Sequence, residues 1–431
     1  MEPGPIRVRL SLMMFGQYLI LGAWAVPLAT YLLARPEHGG LGFSPAQTSW
    51  IYSTTALASL VAPLLLGLLA DRLFAAQKLL AIFHLAGAGL FYAAARFCSI
   101  TQVELRTGSN GTTTHTTFVI LMALMLAISF VTILTLSLCN VTGFRNLREP
   151  KKSFGGVRLF GTLGWIVVNV ALDLFGTPLS AQPLYIGAAG SLAMGIYAFT
   201  LPHTPPARLG KGIAEAMGLP ALKMFNDTSF RILVGCALFM AAVQQFYTVY
   251  ANPFLHALSA PKPTALQTIA QVSEMVCLLL FPVVLARYGF KITLALGIFG
   301  WVLRNALFAT EWLPLIAVVG LPLHGMCFTF FFVVTNLFVD RHAPPHLRAS
   351  AQGILMFTVS GFGTLTGNIM SARVLEFLLT DGHVAWGCFW LVPAAASAIV
   401  FLLFVAGFRD GTPVRAEPAL TEGTRATPAT V

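Results

Sequence analysis

Long apolar segments recur along the whole chain, with short polar segments between them. The first runs from about residue 10 to 34 and the last from 384 to 408. A helix needs about 20 apolar residues to cross the hydrocarbon core of a bilayer. Charged residues make up only 10% of the chain, against about 25% in a soluble domain. The chain is therefore predicted to be an all-α integral membrane protein.

Hydropathy divides the chain into about twelve predicted helical spans. Their limits are 10–34, 45–70, 78–98, 117–141, 156–176, 184–201, 229–256, 264–286, 290–308, 312–340, 348–378 and 384–408. The longest polar interruption, 202–228, has six spans on either side of it. We predict one six-helix half at 1–201, a cytoplasmic linker at 202–228, a second six-helix half at 229–408 and a disordered cytoplasmic tail at 409–431.

Basic residues are distributed unevenly between the two sides of the predicted spans. Nineteen lysines and arginines fall on the side of the two termini, and only Arg35, Arg96, Arg106 and Lys262 fall on the other. Cytoplasmic loops carry such an excess, so both termini are predicted to be cytoplasmic. The basic residues of the predicted cytoplasmic side then account for the net charge of +10. No nucleic-acid partner is expected. The six cysteines are scattered singly, which predicts no metal, cofactor or disulfide.

Few ionisable side chains lie inside the predicted spans. Glu274 is the acidic residue placed deep in a span, and Arg158 and Arg304 are the main basic ones. A charge at the bilayer centre costs roughly 2.5–3.5 kcal/mol on insertion scales, so such groups usually face a cavity and serve a function. We predict functional roles for Glu274 and Arg158, whereas a structural role is favoured for Arg304.

Four spans carry stripes of polar or aromatic residues at helical spacing. Residues three, four or seven apart share one helix face. The stripes are Gln17 with Trp24, Arg158 with Thr162 and Trp165, Gln245 with Thr248 and Asn252, and Gln271 with Glu274. Two stripes come from each half, which predicts a central polar cavity. The alternative is that the neutral polar members only join helices, at about 0.6 kcal/mol each, and that the tryptophans only pack.

The six-plus-six layout and several motifs resemble a known family. Parallel six-span repeats are typical of major facilitator transporters, and "GLLADR" at 67–72 is similar to that superfamily's loop motif. Over nearly its whole length the chain resembles the nucleoside:proton symporters of this superfamily. The matching segments include "GQYLILGAW" at 16–24, "VRLFGTLGW" at 157–165, "QVSE" at 271–274, "WVLRNALFA" at 301–309 and "RASAQG" at 348–353.

The resemblance implies a major facilitator fold and transport of nucleosides with protons. The residues it implies at the substrate are Arg158, Thr162, Trp165, Gln245, Thr248, Gln271, Glu274, Phe328 and Thr329, to which the stripes add Gln17 and Trp24. Glu274 is the candidate for proton coupling. Two positions depart from the family pattern, since Thr248 replaces an asparagine and Thr329 replaces an aspartate that is itself a coupling candidate.

The expected partners are a nucleoside, the proton and the lipid bilayer, and the expected state is a monomer in the inner or plasma membrane. Residue types alone leave open a sugar or polyol symporter of the same fold, because sugars are also bound by Glu, Arg and Trp. A transporter-like nucleoside sensor is a second alternative, which the lack of a soluble output domain in this sequence disfavours. The sequence shows no catalytic triad, phosphate loop or metal cluster, so no enzyme is predicted.

Overall fold

The computed structural model describes residues 4–69, 74–107, 115–176, 179–206 and 219–410, and almost all of them are helical. Helices are expected because the bilayer core offers no partner for backbone N–H and C=O groups, which a helix pairs within itself. The expectations for the end of the "GLLADR" motif, for the middle of the linker and for the tail from 411 onward lie outside these residues.

The described residues of the N-terminal half form seven α-helices. They are α1 (Gly4–Ala25), α2 (Leu28–Leu33), α3 (Pro45–Leu69), α4 (Ala76–Thr107), α5 (His115–Asn146), α6 (Pro150–Phe175) and α7 (Gln182–Ala198). The first predicted span is divided between α1 and α2 at Pro27, since proline lacks the N–H that a continuous helix needs. A short 3₁₀ turn at Pro36–His38 follows α2.

The C-terminal half is more irregular. Its elements are α8 (Thr228–Ala257), α9 (Pro263–Leu266), α10 (Thr268–Phe308), α11 (Leu313–Leu315), α12 (Leu323–Cys327), α13 (Val334–His342), α14 (Arg348–Met356), α15 (Thr364–Phe377), β1 (Leu379–Thr380), β2 (His383–Val384) and α16 (Trp386–Gly407). A 3₁₀ turn at Leu219–Asn226 precedes α8. Wider π-helical turns at Ile316–Gly320, Phe328–Val333 and Phe357–Gly363 interrupt the predicted tenth and eleventh spans.

The predicted eighth and ninth spans form one helical element with a sharp break. α10 has 41 residues, and Gly289 within it adopts φ 75° and ψ −179°, which a residue with a side chain rarely adopts. At about 1.5 Å per residue the element is roughly 60 Å long, about twice the hydrocarbon thickness. The chain therefore reverses at Gly289 and crosses the membrane once on each side of it.

Nine helical stretches of the described chain are long and apolar enough to cross a membrane. The break at Gly289 divides one of them into two crossings, and α3 and the 17-residue α7 add the remaining two. The prediction of an all-α membrane protein with twelve spans is thus confirmed. The sequence did not predict the short antiparallel hairpin of β1 and β2, which connects the last two spans.

Helices pack first within each half and then across the interface. In the first half α1 packs against α6 and α7, and α4 packs against α5 and α7. In the second half α8 packs against α15 and α16, and α10 packs against α12 and α16. The halves meet where α3 contacts α15, α2 contacts α8, and α6 contacts α9 and α10. The polar stripes of α6, α8 and α10 come together at this interface.

Candidate functional site

A cavity of about 180 Å³ lies between the two halves. The N-terminal half contributes Trp165 of α6 and the end of α1, and the C-terminal half contributes mostly polar side chains. The residues of the C-terminal half are Gln244, Tyr247, Thr248, Thr264, Gln267, Thr268, Gln271 and His324. The predicted residues Trp165, Thr248 and Gln271 therefore share one cavity, in which amides and hydroxyls both donate and accept hydrogen bonds.

A second chamber of about 530 Å³ adjoins this cavity inside the C-terminal half. The predicted residues Gln245 and Phe328 line it, and Gln244 lines both spaces. At its far end lie Asn336 and Gln352, on the side of the membrane that carries the basic loops. The lining of this chamber therefore extends from Gln244, which it shares with the central cavity, towards that side.

Arg158 and Glu274 bring opposite charges to the interface from the two halves. The guanidinium carbon of Arg158 on α6 lies 3.8 Å from the centroid of the Tyr18 ring, a distance at which the ring attracts a cation. Its charge also acts on the partly buried carboxylate of Glu274 on α10. Neither charged group hydrogen-bonds a residue in the described ranges, and they form no ion pair within 4 Å. Both retain their capacity to bind a third molecule.

Two predicted threonines occupy different surroundings. Thr162 lies one turn after Arg158 on α6 and is partly buried. Thr329 lies in the π-helical turn Phe328–Val333 and is fully buried. Its hydroxyl finds no hydrogen-bond partner in the described part of the chain. An aspartate at this position would have had to be buried or to change the local packing.

Gln17 and Trp24 point into the packed interior of the first half. The Gln17 amide donates to Thr135 Oγ1 at 3.1 Å, and its oxygen lies 3.0 Å from His84 Nε2. The indole nitrogen of Trp24 is buried, and no described residue pairs with it. Both side chains are packed among other residues of the protein. Their assignment as substrate contacts stays a prediction.

The sequence analysis missed six polar residues that line the cavity, and three of them are Gln244, Gln267 and His324. A helical-spacing signal for two of them is present. Gln244 precedes Thr248 by four residues and donates to its hydroxyl at 3.2 Å, and Gln267 precedes Gln271 by four. His324 has no such partner on its own helix. Only its hydrogen bond with Arg304, which comes from another helix, distinguishes His324 from other buried histidines.

Near the side opposite the termini, six hydrogen bonds between described residues join the two halves. We call this set the outer gate. Its pairs are Thr30–Asn252, Ser49–Tyr250, Pro45–Tyr250, Ala46–Glu376, Ala265–Asp173 and Ser53–Asn368. The shortest join Thr30 to Asn252 and the Ala265 N–H to Asp173, both at 2.6 Å. The central cavity is therefore closed towards the outer gate.

Two helical halves, a polar cavity at their interface and closure on one face together define a secondary transporter of the major facilitator type. Residues 5–413 match the family model described as nucleoside H⁺ symporter. The chain belongs to the nucleoside H⁺ symporter family, and it is a membrane transporter rather than an enzyme.

Individual relatives agree with this membership. The chain is 30% identical to the xanthosine permease of Escherichia coli over 94% of its own length and 96% of the relative's. It is 29% identical to the nucleoside permease NupG of the same organism, with the same coverage. The crystal structure of the nucleoside transporter NupG superposes with a TM-score of 0.81 at 28% identity, covering 94% of this chain and 99% of that one. The POT family transporter PepTSo shares the fold alone, with a TM-score of 0.66 at 14% identity.

Proposed function

We propose that the protein moves nucleosides across the cytoplasmic membrane by alternating access, together with protons, and that Glu274 is both ligand and proton carrier. One observation supports this most strongly. Arg158 and Glu274 reach the interface from opposite halves with interacting charges, and neither has a hydrogen-bond partner among the described residues. A transporter needs charged groups at the interface whose bonds can change as the halves move.

The chemistry of a nucleoside matches the side chains at the interface. Ribose hydroxyls donate to a carboxylate such as Glu274, and charge-assisted hydrogen bonds of this kind are short and strong. The Gln245 and Gln271 amides suit base edges, which carry both donors and acceptors. Trp165 and Phe328 offer aromatic faces to the base. Arg158, Thr162, Thr248 and Thr329, with Gln17 and Trp24, complete the proposed set of contacts.

Glu274 carries the coupling role in this proposal because Thr329 cannot. A threonine hydroxyl does not ionise at physiological pH, so it cannot replace a coupling aspartate. Protonation of Glu274 would remove its attraction to Arg158 and change the force between the two halves. Binding of a proton and of a nucleoside at one residue would then couple both to the same movement.

Alternating access is supported by the distribution of contacts between the halves. The outer gate closes one face, while the chamber lined by Gln245 and Phe328 leads to the other. We propose that the halves at 1–201 and 229–408 rock against each other and that the gate breaks when the cavity opens outward. The excess of basic residues supports a cytoplasmic location of the termini and the 202–228 linker. In that orientation the conformation described is the inward-facing one.

The orientation has a direct test in a cysteine-free background. Lys223 lies exposed in the 3₁₀ turn that precedes α8. A Lys223→Cys variant should react with an impermeant thiol reagent in inverted vesicles and stay unlabelled in intact cells. Labelling from outside intact cells would contradict a cytoplasmic linker.

Substrate class is tested by uptake into proteoliposomes. We expect labelled uridine, adenosine or xanthosine to accumulate when the outside is acidic, and a labelled disaccharide not to. A sugar symporter would give the opposite selectivity. A sensor would bind nucleoside with no uptake under any gradient, and either result would contradict the proposal.

A further inference from the structure

The second arginine inside the membrane, Arg304, is fully buried on the second arm of α10. No carboxylate of a described residue lies within 4 Å of it. Instead, its guanidinium carbon lies 4.0 Å from the Trp301 ring centroid and 4.2 Å from that of Tyr247. Its single hydrogen bond to a described residue runs from Nη1 to His324 Nδ1, at 2.8 Å. The aromatic rings and one imidazole are thus what hold this cation.

The direction of this hydrogen bond determines the state of the histidine. A guanidinium has only donors, so His324 Nδ1 must accept and cannot carry a proton. A neutral imidazole with an unprotonated Nδ1 carries its proton on Nε2. The ring is also held in place, since it stacks on Tyr247 at 5.1 Å and on Phe328 at 6.0 Å between centroids. His324 is therefore a rigid, uncharged hydrogen-bond donor.

The histidine that carries this donor lines the central cavity. His324 is one of the walls of the central cavity, opposite Trp165 in the other half. Its Nε2 makes no hydrogen bond within the described ranges, and it is not among the side-chain atoms sealed from solvent. A donor of fixed direction, next to aromatic faces, suits an acceptor on a flat ring. A base carbonyl oxygen or an unprotonated ring nitrogen is such an acceptor.

We infer that His324 is a specificity-determining residue that donates from Nε2 to an acceptor on the nucleoside base, and that Arg304 is the positioning residue that sets its tautomer. This inference rests on the proposed nucleoside transport. It adds a recognition element from the tenth span that neither the polar stripes nor the charged pair contains. Arg304 acts through the imidazole and does not itself touch the substrate.

The ligand half of this inference is tested with two ligands and one variant. His324→Asn keeps an acceptor for Arg304 near the Nδ1 position but is too short to donate from the Nε2 position. The ligands are uridine and a C-riboside with benzene in place of the base, which has no acceptor. We expect His324→Asn to weaken uridine binding about tenfold or more and to leave the benzene riboside within about twofold. Calorimetry on purified protein measures both.

The possible outcomes separate the two proposals. Equal losses for both ligands would mean that the ring only packs, and unchanged uridine affinity would mean that it does not contact the base; either overturns the inference alone. If wild-type protein binds neither ligand, the proposed function itself is wrong. An effect seen only in the variant cannot overturn the proposed function.

The tautomer is measured without ligand, by nuclear magnetic resonance of protein labelled with ¹⁵N-histidine. The signal of His324 is identified by its loss in His324→Asn. We expect the wild-type proton on Nε2 at neutral pH. Arg304→Met removes the donor and should give a mixture of tautomers and weaker uridine binding, whereas Arg304→Gln, which keeps a donor, should restore both. A proton on Nδ1 in wild type, or no difference between the Met and Gln variants, would overturn the positioning role.

Discussion

The surroundings of Arg158 and Arg304 show two ways of keeping an arginine inside a membrane. Arg158 is partly exposed at the interface between the halves, above one aromatic ring and within range of the Glu274 charge. Arg304 is sealed within one half, between two aromatic rings and an imidazole. In the first arrangement the guanidinium makes no hydrogen bond to a described residue and can still bind a ligand. In the second it donates a hydrogen bond to one acceptor, His324. This difference agrees with the two proposals, in which Arg158 takes part in the transport step and Arg304 positions His324.

The largest effect is expected from Arg158→Ala. Removal of the cation deprives the substrate of a charged donor and leaves Glu274 without an opposite charge. Nucleoside affinity should fall about a hundredfold, since hydrogen bonds to charged groups contribute up to about 3 kcal/mol. Calorimetry measures the loss, and Arg287→Ala, at an exposed site near the break in α10, is the control. Unaltered affinity would mean that Arg158, like Arg304, does not contact the substrate.

His324→Ala should lower stability as well as weaken nucleoside binding. The variant leaves the buried Arg304 guanidinium without its hydrogen-bond acceptor, which costs about 2 kcal/mol. Chemical denaturation in detergent should show this decrease in the free energy of unfolding. His324→Asn keeps an acceptor and should lose far less. If both variants unfold alike, the stability comes from ring packing and not from the bond to Arg304.

A smaller effect is expected from a neutral cavity residue. Gln271→Ala removes one amide from the cavity and should weaken nucleoside binding about tenfold. Val276, on the same helix, is half exposed to the membrane, so Val276→Ala should change affinity by less than about twofold. Equal affinities in the two variants would assign Gln271 to helix packing.

The outer gate provides the smallest expected effect. Asn252 bonds both Thr30 in the other half and Thr264 in its own. Asn252→Ala should destabilise the state with the outer gate closed by about 1 kcal/mol. The outer face should therefore open several-fold more often. An impermeant thiol reagent applied to intact cells should then label a Thr268→Cys variant, in the central cavity, correspondingly faster. Asn336→Ala, at the opposite end, is the control, and faster labelling there too would mean general loosening.

The hydrophobic pattern predicted the twelve spans because hydrocarbon thickness and helical rise fix the length of each. It could not predict that α10 stays helical up to Gly289 or that π-helical turns interrupt the tenth span, since these depend on packing between helices. The same limit applies to the site. Spacing placed Gln17 and Trp24 on one face of α1, but the rotation of α1 against α4 and α5 turned Gln17 towards His84 and Thr135.

Charge and neutral polarity predicted different residues of the proposed site, and of these Trp165, Thr248 and Gln271 line the central cavity. Glu274 and Arg158 were identified from the cost of burying a charge, and the structure brings their charges within range of each other across the interface. His324 was not identified, because a neutral histidine in an apolar span resembles any other buried histidine in the sequence. Only the contact with Arg304, from a different span, distinguishes it.

The central claim is that Glu274, facing Arg158 across the interface, carries the proton, and the Glu274→Gln variant tests it most directly. Glutamine keeps the size of the side chain and resembles the protonated carboxyl in having both a donor and an acceptor, but it cannot gain or lose a proton. In proteoliposomes this variant should lose nucleoside uptake driven by a pH gradient and retain exchange of labelled for unlabelled nucleoside, which needs no net proton movement. Gradient-driven uptake that survives in the glutamine variant would contradict the coupling role of Glu274.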